Sequence, residues 1–459
     1  DARVMLAQLS FRLGDVRTAR RHFTYLLEKA KEPPGEKLVS LVRYLSGKGD
    51  PEKADSLMRS LARPYADSAL AHYAVASLAL NAGDHEHALE RAARSVELNP
   101  EGLKPKLLYA RVLLASGETE KAIEYIARII GDDPDPDPDA RMELAVLYIM
   151  AEREDDALSQ VNQVQLEQSG RMDALRLGAI IHFHQGRLDA AWDDFHDLLA
   201  SGQFTMEALY YLGRIADYRD ETDRAIRFFS EVRQGGNAMA AQQRAAVLRA
   251  HRNDDLDGAL AHLDAYAKAW PAHAVDVLLV KAQLLASLDE DGEALTLYDK
   301  VVNFQPENQQ AALGRAELLL GMGRLEDAIA GYAAAAKRWP KSALALNAYG
   351  YTLADRTDRY REAEKLIRKA LRYDATNPAI IDSLGWVLFK LGQYPQALAE
   401  LERAYAGMQD HEVAAHIVET LVALGRREEA LERLTAAEAL TPDSPLLKKV
   451  RERLFSDVP

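Results

Sequence analysis

Alanine recurs in this chain with a period too long for a helix and too regular for an ordinary globular core. It stands at Ala19, Ala54, Ala88, Ala122, Ala157, Ala191, Ala225, Ala259, Ala294, Ala328, Ala363, Ala397 and Ala430, at spacings of 33, 34 or 35 residues. A second series of small residues lies twelve or thirteen positions before nearly every one of these. It reads Ala7, Ala76, Ala110, Ala145, Ala179, Gly213, Ala246, Ala282, Ala316, Gly350 and Gly385, and only Val42 and Val418 interrupt it. Self-similarity sustained over 459 residues means stacked units, none of which can bury its apolar face alone. Such an array exposes a long surface suited to binding rather than to chemistry.

The unit 308–340 shows how one period is built. Ala311, Leu313, Ala316, Leu319 and Leu320 recur at helical spacing, and Ala328, Ile329, Tyr332 and Ala335 do so again after Gly321-Met322-Gly323-Arg324. Glycine there ends the first helix (helix A), and Trp339-Pro340 closes the second (helix B). The two small series mark where the helices of one hairpin cross. Phe23, Phe195, Phe229, Tyr298 and Tyr332, four residues after the alanine, are expected to fill the space toward the next repeat. Two helices per 34 residues resemble the tetratricopeptide (TPR) repeat. The expectation is an all-α, superhelical α-solenoid of thirteen such repeats over 1–443, one continuous spiral, with a capping helix and tail over 444–459. The stack is expected to loosen near Val42 and Val418.

Composition narrows the partners. A formal net charge of −14, from 71 acidic against 57 basic residues, opposes nucleic-acid binding, which needs a concentrated positive face. The chain has no cysteine, which removes disulfides, thiol nucleophiles and zinc–cysteine sites. No apolar run approaches the roughly 18 to 20 residues needed to cross a bilayer. A chain starting at Asp1 rather than Met is expected to be trimmed from a longer one, in which a signal peptide or lipidated cysteine would lie upstream.

Three features suggest chemistry and none sustains it. His411-Glu412-Val413-Ala414-Ala415-His416 resembles a zinc-binding helix, but its histidines are five apart, which places the rings roughly 140° apart on a helix. His85/His87 and His182/His184 are two apart and diverge, with His85 expected in an inter-helix turn. The stretch 131–139 holds five aspartates and three prolines, and reads as a stiff solvated connector in which Asp139 caps the following helix. No phosphate loop or nucleophile elbow is present. The expectation is a non-enzymatic protein with no metal, cofactor or small-molecule substrate.

The binding face is expected on helix A, the concave side. Counting the first small residue as position eight, positions five and nine point into the groove. Position five is mostly apolar or aromatic, while position nine brings Arg43, Arg111, Arg214, Tyr351 and Trp386. Rings beside arginines characterise protein-recognition surfaces. Tyr73, Arg111, Tyr210, Arg214, Tyr351 and Trp386 are the candidate contact residues; the aliphatic ones are expected to pack against neighbouring helices. The lysine-then-asparagine pair with which chaperone-binding TPRs hold a terminal carboxylate is missing at these positions.

Residues 342–405 carry a narrower resemblance. Leu346-Asn347-Ala348-Tyr349-Gly350-Tyr351-Thr352-Leu353-Ala354-Asp355 and Asn377-Pro378-Ala379-Ile380-Ile381-Asp382-Ser383-Leu384-Gly385-Trp386-Val387 are similar to a paired-repeat motif of long TPR proteins in Gram-negative bacteria, many of them outer-membrane lipoproteins. Length and repeat number resemble the lipoprotein partner of a periplasmic carboxyl-terminal processing protease. That resemblance implies an adaptor on the periplasmic side of the outer membrane that recruits and activates the protease. It would present protein substrates such as peptidoglycan hydrolases. The alternative is a TPR scaffold for envelope polysaccharide export or cell-wall synthesis.

Overall fold

The structure is a computed structural model that describes residues 2–29, 33–47 and 50–456; Asp1 and the last three residues of the expected tail lie outside them. Among the described residues the chain forms twenty-seven α-helices and no strand. Two compact units divide it, Asp1–Glu221 and Thr222–Pro459. The first holds six helical hairpins, from Ala2–Arg12 with Val16–Glu28 to Met172–His184 with Leu188–Ser201, followed by Thr205–Tyr218. The second opens with Thr222–Glu231. Six hairpins follow, from Ala238–Arg252 with Leu256–Ala269 to His411–Ala423 with Arg427–Leu440, and Pro445–Leu454 ends it.

Local chemistry sets each boundary. Asn308 caps Gln309–Gly321 by accepting from the Ala311 amide, and Gly323 adopts a left-handed φ of 75° before Leu325–Arg338 begins. Asp254 and Asp289 hold the same left-handed turn at φ 53° and 60°, a conformation that aspartate tolerates better than most residues. In 131–139 the cap is Asp137, not Asp139: its carboxylate accepts from the Asp139 amide while Pro138 takes the first helical position. Asp139 instead receives Arg171 at 2.6 Å. His85 likewise lies inside a helix, opening His85–Leu98 after its cap Asp84.

Each of the thirteen periodic alanines is at most 1 % exposed. Phe23, Phe195, Phe229, Tyr298 and Tyr332 are buried as well. Tyr298 does reach the next hairpin: a methyl added at Gly314 would lie 2.8 Å from its hydroxyl oxygen. Phe195 stacks on Tyr211 with centroids 4.7 Å apart and planes 5° from parallel. Gly385 shows why the second series is small, since a methyl there would meet Leu401 Cγ at 2.5 Å and the Ala397 carbonyl oxygen at 3.2 Å.

The two valines behave differently from each other. Val418 is fully buried in a core with Ile417, Leu421, Ala430 and Leu434, so the stack is tight there, contrary to expectation. Val42 is only half-buried, and Pro34–Ser46 packs chiefly against Ala69–Asn81 rather than against its own partner Pro51–Ala62. Gly35 permits that displacement, because any methyl there would meet Ser68 Oγ at 2.7 Å. Sequence periodicity also gives no warning that Thr222–Glu231 is short. Buried Gln242 compensates, its amide donating to the Val232 and Phe229 carbonyls at 2.9 and 3.2 Å.

Candidate protein-binding surface

The six candidate residues fall into three neighbouring pairs, and the structure gives each pair a different character. Tyr73 and Arg111 lie on Ala69–Asn81 and Leu103–Ala115 in the first unit. Tyr73 is half-buried over a cluster containing Ala76, Ala79 and Leu108. Arg111 is engaged by a carboxylate of the next hairpin: its Nε donates to Glu143 Oε1 at 2.7 Å and its terminal nitrogen to Oε2 at 2.5 Å. The guanidinium side is 55 % exposed and the carboxylate side 8 %. Glu143 is therefore the buried anchor of this bidentate pair, and Arg111 presents an exposed edge that is already neutralised.

Tyr210 and Arg214 share Thr205–Tyr218, one turn apart. The Arg214 guanidinium sits over the Phe183 ring at 4.6 Å and beside Tyr210 at 5.9 Å. Phe183 in turn packs edge-on to Tyr211 at 5.1 Å and near exposed Tyr218 at 5.9 Å. At the start of the same helix Phe204 holds a left-handed φ of 52°, strained for a bulky residue, with the Arg176 guanidinium over its ring at 5.3 Å. Arg176 also forms a two-pronged pair with Glu207, one arm at 2.8 Å.

Tyr351 and Trp386 belong to a packed polar cluster in the second unit. Trp386 is 6 % exposed, which leaves it almost no surface to offer. Its ring stacks on His416 at 4.1 Å and on Phe389 at 5.0 Å, with the Lys390 ammonium 4.4 Å from its centroid. Its indole N–H points to Asp355 at 3.4 Å. Half-buried Tyr351 donates to Glu412 at 2.5 Å, a contact that crosses two repeats. Burial, together with that carboxylate, raises the phenol well above its usual proton affinity.

His416 and Asp382, both buried, meet at 2.9 Å in the same cluster. Burial drives the imidazole down, but Asp382, with help from Glu412 and Glu419, outweighs it and holds His416 above the ordinary histidine value. His411, at the other end of the zinc-like motif, is half-buried beside Asp410 at 3.8 Å. The two histidines thus have separate partners. His182 binds Asp194 at 2.8 Å, while His184 is exposed. Among the described residues no three histidine, aspartate or glutamate side chains are grouped to hold a metal ion.

Glu143, Glu207 and the Asp382–His416 pair were not among the candidates, yet they tie successive helices A together within their own units. Their partners lie 31 to 34 residues away, one repeat along the chain. Opposite charges spaced by one period on successive helices A are the signal that finds them.

Models of the tetratricopeptide repeat match residues 79–138, 313–379 and 388–454. The chain is 35 % identical over 214 residues to the TPR repeat-containing protein PA4667 of Pseudomonas aeruginosa. That match covers 46 % of this chain and 36 % of the relative, so the chain matches little more than a third of its curated relative's length. Among solved structures, yeast Tom70 is similar at 14 % identity and a TM-score of 0.44, over 99 % of this chain and 95 % of that one. The Cut9 and Hcn1 assembly of APC/C gives 14 % and 0.42, over 98 % and 95 %. The TPR protein TTC0263 of Thermus thermophilus gives 22 % and 0.35, over 40 % and 97 %. The fold is an all-α tetratricopeptide-repeat solenoid, an architecture for protein–protein interaction.

Proposed function

We propose that this tetratricopeptide-repeat chain is a non-enzymatic adaptor, which recruits and activates a periplasmic carboxyl-terminal processing protease and presents protein substrates, peptidoglycan hydrolases among them. One observation carries the scaffold reading. On helix A the Arg214 guanidinium is fixed in place by the Phe183 ring of the preceding helix A without being neutralised. Side chains immobilised before binding lose little conformational entropy when a partner arrives. The protease assignment draws on the resemblance of length and repeat number to the lipoprotein partner of such a protease. The proposal of a lipid-anchored protein on the periplasmic face of the outer membrane draws on the resemblance of 342–405 to outer-membrane TPR lipoproteins.

Such an adaptor raises substrate concentration near the protease without adding any catalytic group. Co-precipitation with the protease, followed by hydrolase cleavage with and without this chain, tests the proposal. Cleavage is expected to accelerate when the chain is present. An unchanged rate together with no co-precipitation refutes it. Co-precipitation of a polysaccharide synthase or its export partner instead would establish the alternative scaffold role.

A further inference from the structure

Arginines stacked on aromatic rings recur in this chain, and most of them also hold a carboxylate. Arg153 lies over Tyr148 and pairs with Asp156; Arg176 lies over Phe204 and pairs with Glu207. The same double engagement holds for Arg219 with Trp192 and Asp189, Arg338 with Trp339 and Glu307, and Arg433 with Tyr405 and Glu402. Like exposed Arg3 over Tyr25, Arg214 breaks the rule. It is half-buried over Phe183 and Tyr210, yet among the described residues no carboxylate forms an ion pair with it.

A partly buried guanidinium without a counter-charge is costly, because burial removes water from its donors and nothing replaces it. The nearby Glu207 on the same helix is already committed to Arg176. The rings fix the Arg214 plane and leave its donors unused. Arg43, at the same register, has among the described residues neither an ion pair nor a ring beneath it to orient it. Arg111, again at that register, is neutralised by Glu143.

We propose that Arg214 recognises an acidic side chain of a bound polypeptide, completing the carboxylate–arginine–ring arrangement that its counterparts complete internally. The inference rests on reading the helix-A face as the protein-binding surface, and it adds the chemical class of one contact. At the same register one hairpin earlier stands half-buried Ile180, and before it exposed Val146. Packed helices lie about 10 Å apart and an extended chain advances about 3.3 Å per residue. A ligand strand crossing this face would therefore place an apolar side chain over Ile180 about three residues from its acidic one.

The test uses fluorescence anisotropy with labelled synthetic peptides that repeat a Leu-x-x-Glu pattern and end in an amide. Counterparts carry glutamine for glutamate, with either an amidated or a free terminus. Each is titrated with the whole chain and with its Arg214→Met and Arg111→Met variants, with circular dichroism to confirm helical content. The whole chain is expected to prefer the glutamate peptide by about tenfold or more, the value of a charged hydrogen bond. Arg214→Met should abolish that preference and Arg111→Met should keep it. Binding of both amidated peptides without preference overturns the Arg214 assignment but leaves the surface standing. Preference confined to the free-terminus glutamine peptide overturns the side-chain assignment in favour of a terminal carboxylate. Failure of every peptide to bind overturns the surface reading itself.

Discussion

The buried His416–Asp382 pair yields a prediction in which the sign matters as much as the size. His416 is held above its ordinary value in the folded chain, so its contribution to stability is fully present below about pH 6.5 and is lost as pH rises through the folded value. Replacing Asp382 by asparagine keeps the shape and one acceptor for the imidazole N–H but removes the counter-charge. Below pH 6.5 the Asp382→Asn variant then either buries an imidazolium opposed only by Glu412 and Glu419 or deprotonates it. Breaking a buried pair typically costs about 3–5 kcal/mol, and the retained hydrogen bond places this loss near the lower end, about 3 kcal/mol at pH 6. Once pH has risen through the folded value the imidazole is neutral in both chains, and the loss falls to about 1 kcal/mol, that of an altered neutral hydrogen bond. Repeat arrays need not unfold in one step, so a local probe is required. Trp386 supplies it: its ring lies 4.1 Å from His416, and an imidazolium quenches indole emission. Both chains carry phenylalanine in place of Trp192, Trp270 and Trp339, so that urea unfolding is followed at Trp386 alone. The stability difference between the parent and its Asp382→Asn variant should shrink as pH rises. A difference that stays constant from pH 6 to pH 9, or grows with pH, would refute the assignment.

Two further substitutions probe packing and two probe pairing. Gly385→Ala gains about 1 kcal/mol in helix propensity, but its methyl would overlap Leu401 and crowd the Ala397 carbonyl, so a net loss of about 1 kcal/mol is expected by thermal unfolding. Gly321→Ala meets nothing within 4 Å and should be neutral or slightly stabilising in the same assay. Arg111→Met leaves the largely buried Glu143 carboxylate without a partner and should cost about 2 kcal/mol in urea unfolding, a figure reduced by the exposure of Arg111. Glu143→Gln removes the buried charge together with the pair and should cost less, about 1 kcal/mol.

The register of helices was legible because the sequence states the crossing points directly. Every periodic alanine is buried, and so are Phe23, Phe195, Phe229, Tyr298 and Tyr332 four positions later. What escaped depends on how closely successive helices A approach, which a period does not encode. Trp386 occupies the register expected to face outward, yet His416 and Phe389 cover its ring. Val418 breaks the small-residue series but is fully buried, since its neighbours accommodate the extra methyl groups. The cap at Asp137 was readable in principle, because proline favours the first helical position and places the cap immediately before it.

Within each unit the charged groups that link helices A answer two demands that compete. Arg111–Glu143, Arg176–Glu207 and Asp382–His416 each join helix A of one repeat to helix A of the next, and Tyr351–Glu412 spans two. A group engaged this way stiffens the array, but a partner that takes it over must first separate a pair, which leaves the other member uncompensated. Recognition is therefore easiest where a group is immobilised without being neutralised. An aromatic ring does this and a carboxylate does not, because a ring fixes the plane of a guanidinium while leaving its N–H donors free. Arg214 on Phe183 meets that condition; Arg111, with an equally suitable register and a more exposed side chain, does not. Exposure alone would rank the two the other way, so comparing their variants against one acidic ligand separates availability of donors from mere accessibility.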